Sequence, residues 1–332
     1  MGAIYIFRPG ALGDTLIAAP VLKQLKESNK DKDIIFISEQ SSKSFHVSPL
    51  QLKDLIPEIS DAVLFPNDKF LDKLKYLKNN LRPQSDDLLL YLNYSGCSFF
   101  HVFRDFVFFK LLGFKNTYGF INYLKTKNKA KSNFIPEYQR LFLVAKELIS
   151  PNLNLGNYRL LGLNSSPKLN DSPSVLVAPF GKAKSKRWPI NNFENVFNFL
   201  VTNNYQIIIC GSEDEQLEFE NLLWETKFKS KGYFGLPLVD LHKIVLQCEF
   251  YLGNDTGPMH LAALSGLPCF CLFSETNRDA NWVPYGSNHV VMRELLSCSN
   301  CHLTICNIVG HPCMTNISPE SVIKELSVFL ND

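Results

Sequence analysis

Long apolar runs are missing from this chain of 332 residues: none reaches the roughly 18 consecutive apolar residues that a membrane-spanning helix needs. The opening MGAIYIFRPGALGD has neither the basic n-region nor the cleavage site of a signal peptide, and reads as a strand entering a glycine loop. Repeats of solenoid period are absent too. Neither sign of charge dominates, since 34 Lys and Arg stand against 32 Asp and Glu, and no nucleic-acid partner is expected. These absences disfavour secreted, membrane-spanning and fibrous proteins. Hydrophobic residues are present at 45% and charged residues at 20%, the composition of a globular chain with ample core. At about 100–200 residues per domain the length suggests two domains. Nine cysteines without an export signal point to reduced thiols in the cytoplasm rather than a disulfide scaffold.

The small net charge conceals an asymmetry. Residues 1–165 hold 17 Lys and 5 Arg against 15 acids, a balance of +7; residues 166–332 hold 9 Lys and 3 Arg against 17 acids, a balance of −5. A basic half suits an anionic partner such as a phosphorylated substrate or a membrane surface, although solvated faces reach such imbalances without one.

Two stretches share one grammar. Ala3–Phe7 is a β-rich run followed by a glycine loop and a helical pattern through Lys26; Ser174–Ala178 leads through a basic loop into a helical run from Asn192 to about Val201. Further strands are predicted at Asp33–Ile37, Ala62–Phe65, Asp87–Leu92, Gln206–Cys210, Phe250–Gly253 and Cys269–Phe273, with helical periodicity between most of them, including Glu215–Trp224 and Gly257–Leu264. Strands alternating with helices imply parallel sheets covered on both faces. Gly162–Ser174, rich in Ser, Asn, Pro and Asp, reads as a linker between residues 1–165 and 166–332. The expected fold is α/β: two doubly wound domains with a cleft between them.

In such sheets ligands sit beyond the carboxyl ends of strands, and four strand-end loops stand out. Gly10 and Gly13 permit tight turns before Asp14, where a helix begins; Asp14 would serve equally as a helix N-cap. No Gly-Lys-Ser/Thr follows, so this is no P-loop, and the third glycine of a dinucleotide fingerprint is missing. In the loop Gly181–Pro189 four cations fall within six residues, Lys186 among them, an arrangement suited to a diphosphate and held in place by Trp188 and Pro189. Glu213 follows a buried strand, where a carboxylate can accept hydrogen bonds from ribose hydroxyls or simply favour a helix N-terminus. The fourth loop sets Asp255, Thr256 and Gly257 at a helix start, with His260 on the first turn, where free N–H groups form an anion site.

A different feature is Cys298-x2-Cys301-x4-Cys306-x6-Cys313, with His302 and His311 interspersed. Four thiolates at short spacing could close a zinc or iron site; a cluster of reduced thiols is the other reading, and the gaps do not match paired C-x2-C knuckles. The aromatic run Phe99–Phe109 fits a membrane anchor or a buried amphipathic helix, and the buried helix is the expectation.

Taken together, the loops resemble glycosyltransferase family nine, the ADP-heptose:lipopolysaccharide heptosyltransferases. The resemblance is carried by R-P-G-A-L-G-D-T-L-I-A-A-P (Arg8–Pro20), K-R-W-P (Lys186–Pro189), G-N-D-T-G-P-M-H-L-A-A-L (Gly253–Leu264) and W-V-P-Y-G (Trp282–Gly286). It extends through Asp87–Phe120 and the tail C-M-T-N-I-S-P (Cys313–Pro319). The resemblance implies a GT-B fold, acceptor on the first domain and nucleotide-sugar on the second, and an inverting transfer that needs no metal cofactor. Asp14 would be the general base, Lys186 would hold the diphosphate, and Asp255, Thr256 and Gly257 would bind sugar and phosphate. His260 would order that loop, and Glu213 would meet the ribose. The implied partners are ADP-heptose or a related nucleotide-sugar and an anionic glycolipid at the inner membrane. Other sugars, a protein acceptor and a cysteine-bound iron belong to branches of the same family. A nucleotide-sugar epimerase and a non-catalytic glycan-binding module are the rival classes.

Overall fold

The computed structural model of the chain describes residues 2–9, 12–40, 49–66, 70–93, 96–133, 135–160, 172–277 and 282–331. The chain divides into two compact units, Met1–Leu161 and Gly162–Asp332. The expected boundary at 165/166, most of the linker and Gly10 lie outside the described residues.

Unit 1 runs β1 (Ile4–Phe7), α1 (Leu12–Leu16), α2 (Ala19–Ser28), β2 (Ile34–Gln40), β3 (Asp61–Pro66), α3 (Phe70–Asn80), β4 (Leu88–Tyr91), α4 (Phe99–Leu111), β5 (Asn116–Tyr118), α5 (Phe120–Asn133) and α6 (Glu137–Ala145). Its sheet has the order β3-β2-β1-β4-β5, and every pair is parallel. The chain starts at the centre with β1, winds outward through β2 and β3, then returns to β4 on the other side of β1. That reversal makes the β1/β4 gap the topological switch point, the crevice where doubly wound sheets bind ligands.

Unit 2 repeats the plan. It runs β6 (Ser174–Ala178), α7 (Ile190–Thr202), β7 (Gln206–Gly211), α8 (Gln216–Glu220), α9 (Trp224–Phe228), β8 (Lys231–Phe234), α10 (Leu238–Val245), β9 (Phe250–Asn254), α11 (Gly257–Leu264), β10 (Cys269–Phe273), β11 (His289–Arg293), α12 (Pro312–Thr315) and α13 (Pro319–Phe329). The parallel order β11-β10-β9-β6-β7-β8 puts the switch point between β6 and β9. Every residue of β6, β9 and β10 is buried, which is why these strands read as continuous apolar runs. One face of the sheet packs on Trp188, Phe193, Phe197, Trp224 and Phe228. The two doubly wound units are the GT-B fold.

Two expectations are corrected. The helical pattern over Glu215–Trp224 breaks after Glu220: the backbone passes through Leu223 at φ +54° before α9 begins. The run Phe99–Phe109 is a helix capped by Ser98, whose hydroxyl accepts from the His101 N–H, but it is not wholly core. Val102, Phe108 and Phe109 are buried, and Phe109 sits edge-on to Phe7 at 5.0 Å. Phe99, Phe100 and Phe103, on another side of the helix, are exposed. Among the described residues no helix is long and apolar enough to cross a membrane.

Candidate active site

The loops after β6 and β9 flank the unit 2 switch point, and Asn254 ties them together. Its side chain is fully buried; Oδ1 accepts from the Trp188 N–H (3.0 Å) and Nδ2 donates to the Pro179 carbonyl (2.7 Å). The strands meet so closely that a Cβ on Gly253 would lie 2.6 Å from the Ala178 carbonyl oxygen. Gly181 turns the basic loop at φ +149°, a conformation open to glycine, with Thr256 directly against it. This bracing carries Lys186 to Asp255: Nζ donates to Oδ2 at 2.5 Å, with both side chains still partly open to solvent. The other cations of the loop do different things. Arg187 forks onto Glu218 (2.8 and 2.9 Å) and donates to the Gly181 carbonyl (2.6 Å), latching the loop to α8, while Lys182 and Lys184 are exposed.

Thr256, not Asp255, is the N-cap of α11, and its side chain makes no capping hydrogen bond to the helix. The Thr256 hydroxyl lies against the Tyr251 hydroxyl (3.3 Å), and that phenol donates to the Asn254 carbonyl at 2.8 Å. Burial pushes the Tyr251 phenol well above its ordinary pKa, so it stays protonated as the donor. Gly257 opens the helix and Pro258 follows, which leaves the N-terminal positive end of the macrodipole beside the Lys186–Asp255 pair. His260 is buried, its ring edge-on to Trp282 at 6.1 Å. Glu213 is exposed on the turn after β7, next to the switch-point strand β6.

In unit 1, Gly13 and Asp14 lie within α1, after β1, so Asp14 occupies the first helical turn rather than the cap. Its carbonyl accepts from Arg8 Nε at 2.5 Å, while Arg8 Nη1 donates to the Leu92 carbonyl at 2.7 Å. One wholly buried guanidinium therefore joins the loops after β1 and β4 across the switch point. Burial depresses the Arg8 pKa from its ordinary value, opposed by Glu137 and then Asp14. Glu137 lies 3.8 Å from Arg8 and takes two 2.6 Å hydrogen bonds from Arg140, which also donates to the Asn93 carbonyl. Two buried guanidinium groups thus share one buried carboxylate. Glu137→Gln is expected to lower unfolding stability by about 3–5 kcal/mol, because it strands both cations. Urea denaturation checks this, and a loss below about 1 kcal/mol would show that the cluster is solvated.

A cavity of ≈ 390 Å³ opens at the carboxyl ends of β1 to β4. Phe7, Phe65 and Phe109 form apolar wall; Lys73 pairs with Glu39 (2.5 Å), and Arg104 forks onto Asp105 (2.7 and 3.0 Å). Asn254, Arg8 and this cavity had no assigned role in the sequence. The only signals were a polar residue ending an apolar strand and a charge directly after one.

The four cysteines do converge. Cys298, Cys301, Cys306 and Cys313 line one small cavity with Ser185, Glu275, Thr276 and His311. Among the described residues, however, no three His, Cys, Asp or Glu are placed to hold a metal ion. Of the two readings, the contacts suit the cluster of reduced thiols: Cys301 Sγ meets the hydroxyl of Thr276, on the loop after β10 (3.3 Å), and Cys306 Sγ the Ile308 carbonyl (3.7 Å). Burial raises the Cys313 pKa, which keeps that thiol protonated. The loop also braces the basic turn, since Ser185 N–H donates to the Thr304 carbonyl and the His311 ring meets the Ser185 carbonyl, both at 3.0 Å.

Comparison with known proteins agrees with this geometry. The family model for glycosyltransferase family 9 (heptosyltransferase) matches residues 118–308, more than half of the chain. The chain is 27% identical to lipooligosaccharide heptosyltransferase 2 of Campylobacter jejuni, over 99% of this chain and 98% of that one. A family 9 glycosyltransferase from Veillonella parvula superimposes with a TM-score of 0.70 at 15% identity, covering 100% and 98% of the two chains. ADP-heptose lps heptosyltransferase II of E. coli does so at 0.66 and 16% identity, covering 99% and 98%. With two doubly wound units, a braced cation at one switch point and a family match over more than half of the chain, the chain belongs to glycosyltransferase family 9 and is a glycosyltransferase.

Proposed function

We propose that the protein moves a heptose from ADP-heptose to the inner core of a lipopolysaccharide, with inversion at the anomeric carbon and without a metal cofactor. The observation that carries this reading is Lys186, held at Asp255 beside the N-terminus of α11. A diphosphate leaves as an anion, so the charge that stabilises it must be in position before the bond breaks. The relatives named lipooligosaccharide heptosyltransferase 2 supply the sugar and the acceptor class.

In this reading the acceptor hydroxyl oxygen attacks the anomeric carbon and its proton passes to the Asp14 carboxylate. The bond from that carbon to the diphosphate oxygen breaks, and ADP departs with the electron pair. Lys186 and the first N–H of α11 hold the diphosphate. Asp255, Thr256 and Gly257 meet sugar hydroxyls and phosphate, with His260 ordering their loop through Trp282. Glu213 accepts from the ribose, and Gly10 and Gly13 shape the acceptor loop. The unit 1 cavity takes the sugars of an anionic glycolipid, presented at the cytoplasmic face of the inner membrane.

Calorimetry with ADP-heptose, UDP-sugars and GDP-sugars, followed by transfer to heptose-deficient lipopolysaccharide in EDTA, tests this. Selective ADP-heptose binding and EDTA-resistant transfer are expected. Preference for another nucleotide-sugar, or labelling of protein instead of glycolipid, would replace the substrate. Epimerised donor formed without acceptor would replace the reaction.

A further inference from the structure

One face of α4 is left out of this chemistry. Phe99, Phe100 and Phe103 are 59%, 80% and 57% exposed, and Val107 and Leu111 continue the stripe at four-residue steps. The rings form one patch: Phe99 stacks on Phe103 at 6.5 Å and meets Phe100 edge-on at 6.0 Å. Large aromatic side chains gathered in water mark a docking surface rather than an ordinary exposed face.

The charge of the segment that carries the patch points to its partner. Residues 99–133, the segment of α4 and α5, contain Arg104, Lys110, Lys115, Lys125, Lys127, Lys129 and Lys131 against the single acid Asp105. That is +6 of the +7 carried by residues 1–165, so the basic character of the half is concentrated in the stretch of chain that carries the exposed rings. Asp105 does not face outward to offset it: it is buried and paired with Arg104 and the Tyr91 hydroxyl. Lys110 lies with Nζ 5.6 Å from the Phe106 ring, placing a cation beside the same helix. Exposed aromatic residues on one helix face, in a stretch of chain rich in lysine, are the pattern of a helix lying in a bilayer interface, and anionic leaflets attract such basic segments.

We propose that the α4 face docks the protein on an anionic bilayer, with Phe99, Phe100 and Phe103 entering the headgroup–acyl boundary and the positive charge of the α4–α5 segment meeting lipid phosphates. The proposal deepens the reading above, in which the acceptor is a glycolipid. Its test uses neither donor nor acceptor, so the two can fail separately.

The test is co-sedimentation of the full chain with vesicles of phosphatidylethanolamine and phosphatidylglycerol, against vesicles of phosphatidylcholine. Binding to the anionic vesicles that high salt weakens is expected. Combining Phe100→Ser with Phe103→Ser should lower that binding by about tenfold or more, with an unchanged thermal midpoint because both side chains are exposed. Phe100→Trp should give an emission quenched by brominated lipid, a direct reading of ring insertion. Failure of the wild type to bind, or equal binding by the double variant, would overturn the proposal. So would a dimer in light scattering that the double variant turns into monomer, since the face would then join two copies of the chain.

Discussion

Asp14→Asn is expected to lower kcat for transfer by about 10²–10⁴-fold, the contribution of a positioned general base. The amide keeps the size and shape of the carboxylate, and the Arg8 bond runs to the Asp14 carbonyl, not its side chain. The turn should therefore survive and unfolding stability should stay near wild type. Affinity for ADP-heptose, titrated by calorimetry, should also stay near wild type, because Lys186 and Asp255 are untouched. Asp14→Glu sharpens the point: it retains the charge but moves the carboxylate by about one methylene, and misplacements of about 1 Å in a reacting group cost on the order of 10²-fold. A purely electrostatic role would tolerate Glu and fail only with Asn. Equal loss of donor affinity and kcat in Asp14→Asn would move Asp14 from proton transfer to donor binding.

How legible these features were depended on whether their physics is local. β6 and β10 were read to the residue because both are buried throughout, and an uninterrupted apolar run between turns leaves little choice. β5, β8 and β11 were not read at all, and all three are sheet edges. An edge strand is half covered, so NTY, KGYF and HVVMR lack the apolar run that marks a central one. The α4 stripe was ambiguous for a related reason: Phe99, Phe103 and Phe106, or Val102, Phe106 and Phe109, both satisfy helical spacing, and only packing on Phe7 decides between them. At the candidate site, residue types at strand ends pointed to Asp14, Lys186 and Asp255. The residues that brace these loops were not legible, because they act across long separations: Asn254 reaches Pro179 across 75 positions, and Arg8 reaches Leu92 across 84. The cysteine spacing correctly brought four thiols to one cavity. Spacing carries no information on whether their sulfur atoms point at a common centre, so it left a metal site and a cluster of reduced thiols both open; among the described residues no three such ligands are placed to hold a metal ion.

Lys186→Ala is expected to reduce kcat by about 10²–10³-fold, the usual cost of removing one preorganised donor from a developing anion. The effect on nucleotide affinity has a second source. Asp255 loses the cation that neutralises it in the free protein, and its carboxylate then faces the incoming diphosphate uncompensated, so ADP should bind more weakly as well. Adding Asp255→Ala separates the two effects. The double variant should regain part of the ADP affinity, since the repulsion is gone, but none of kcat, since the cation is still missing. If the pair served only to hold the fold, the double variant would recover activity together with affinity, and unfolding would report the damage. The pair is partly open to solvent, so its own contribution to stability is held to about 1 kcal/mol or less. Calorimetric titration of ADP on the single and double variants, with kcat from ADP release under saturating acceptor, supplies the four corners of that cycle. Recovered affinity with persistent loss of turnover is the signature of a lysine whose work is done as the diphosphate leaves.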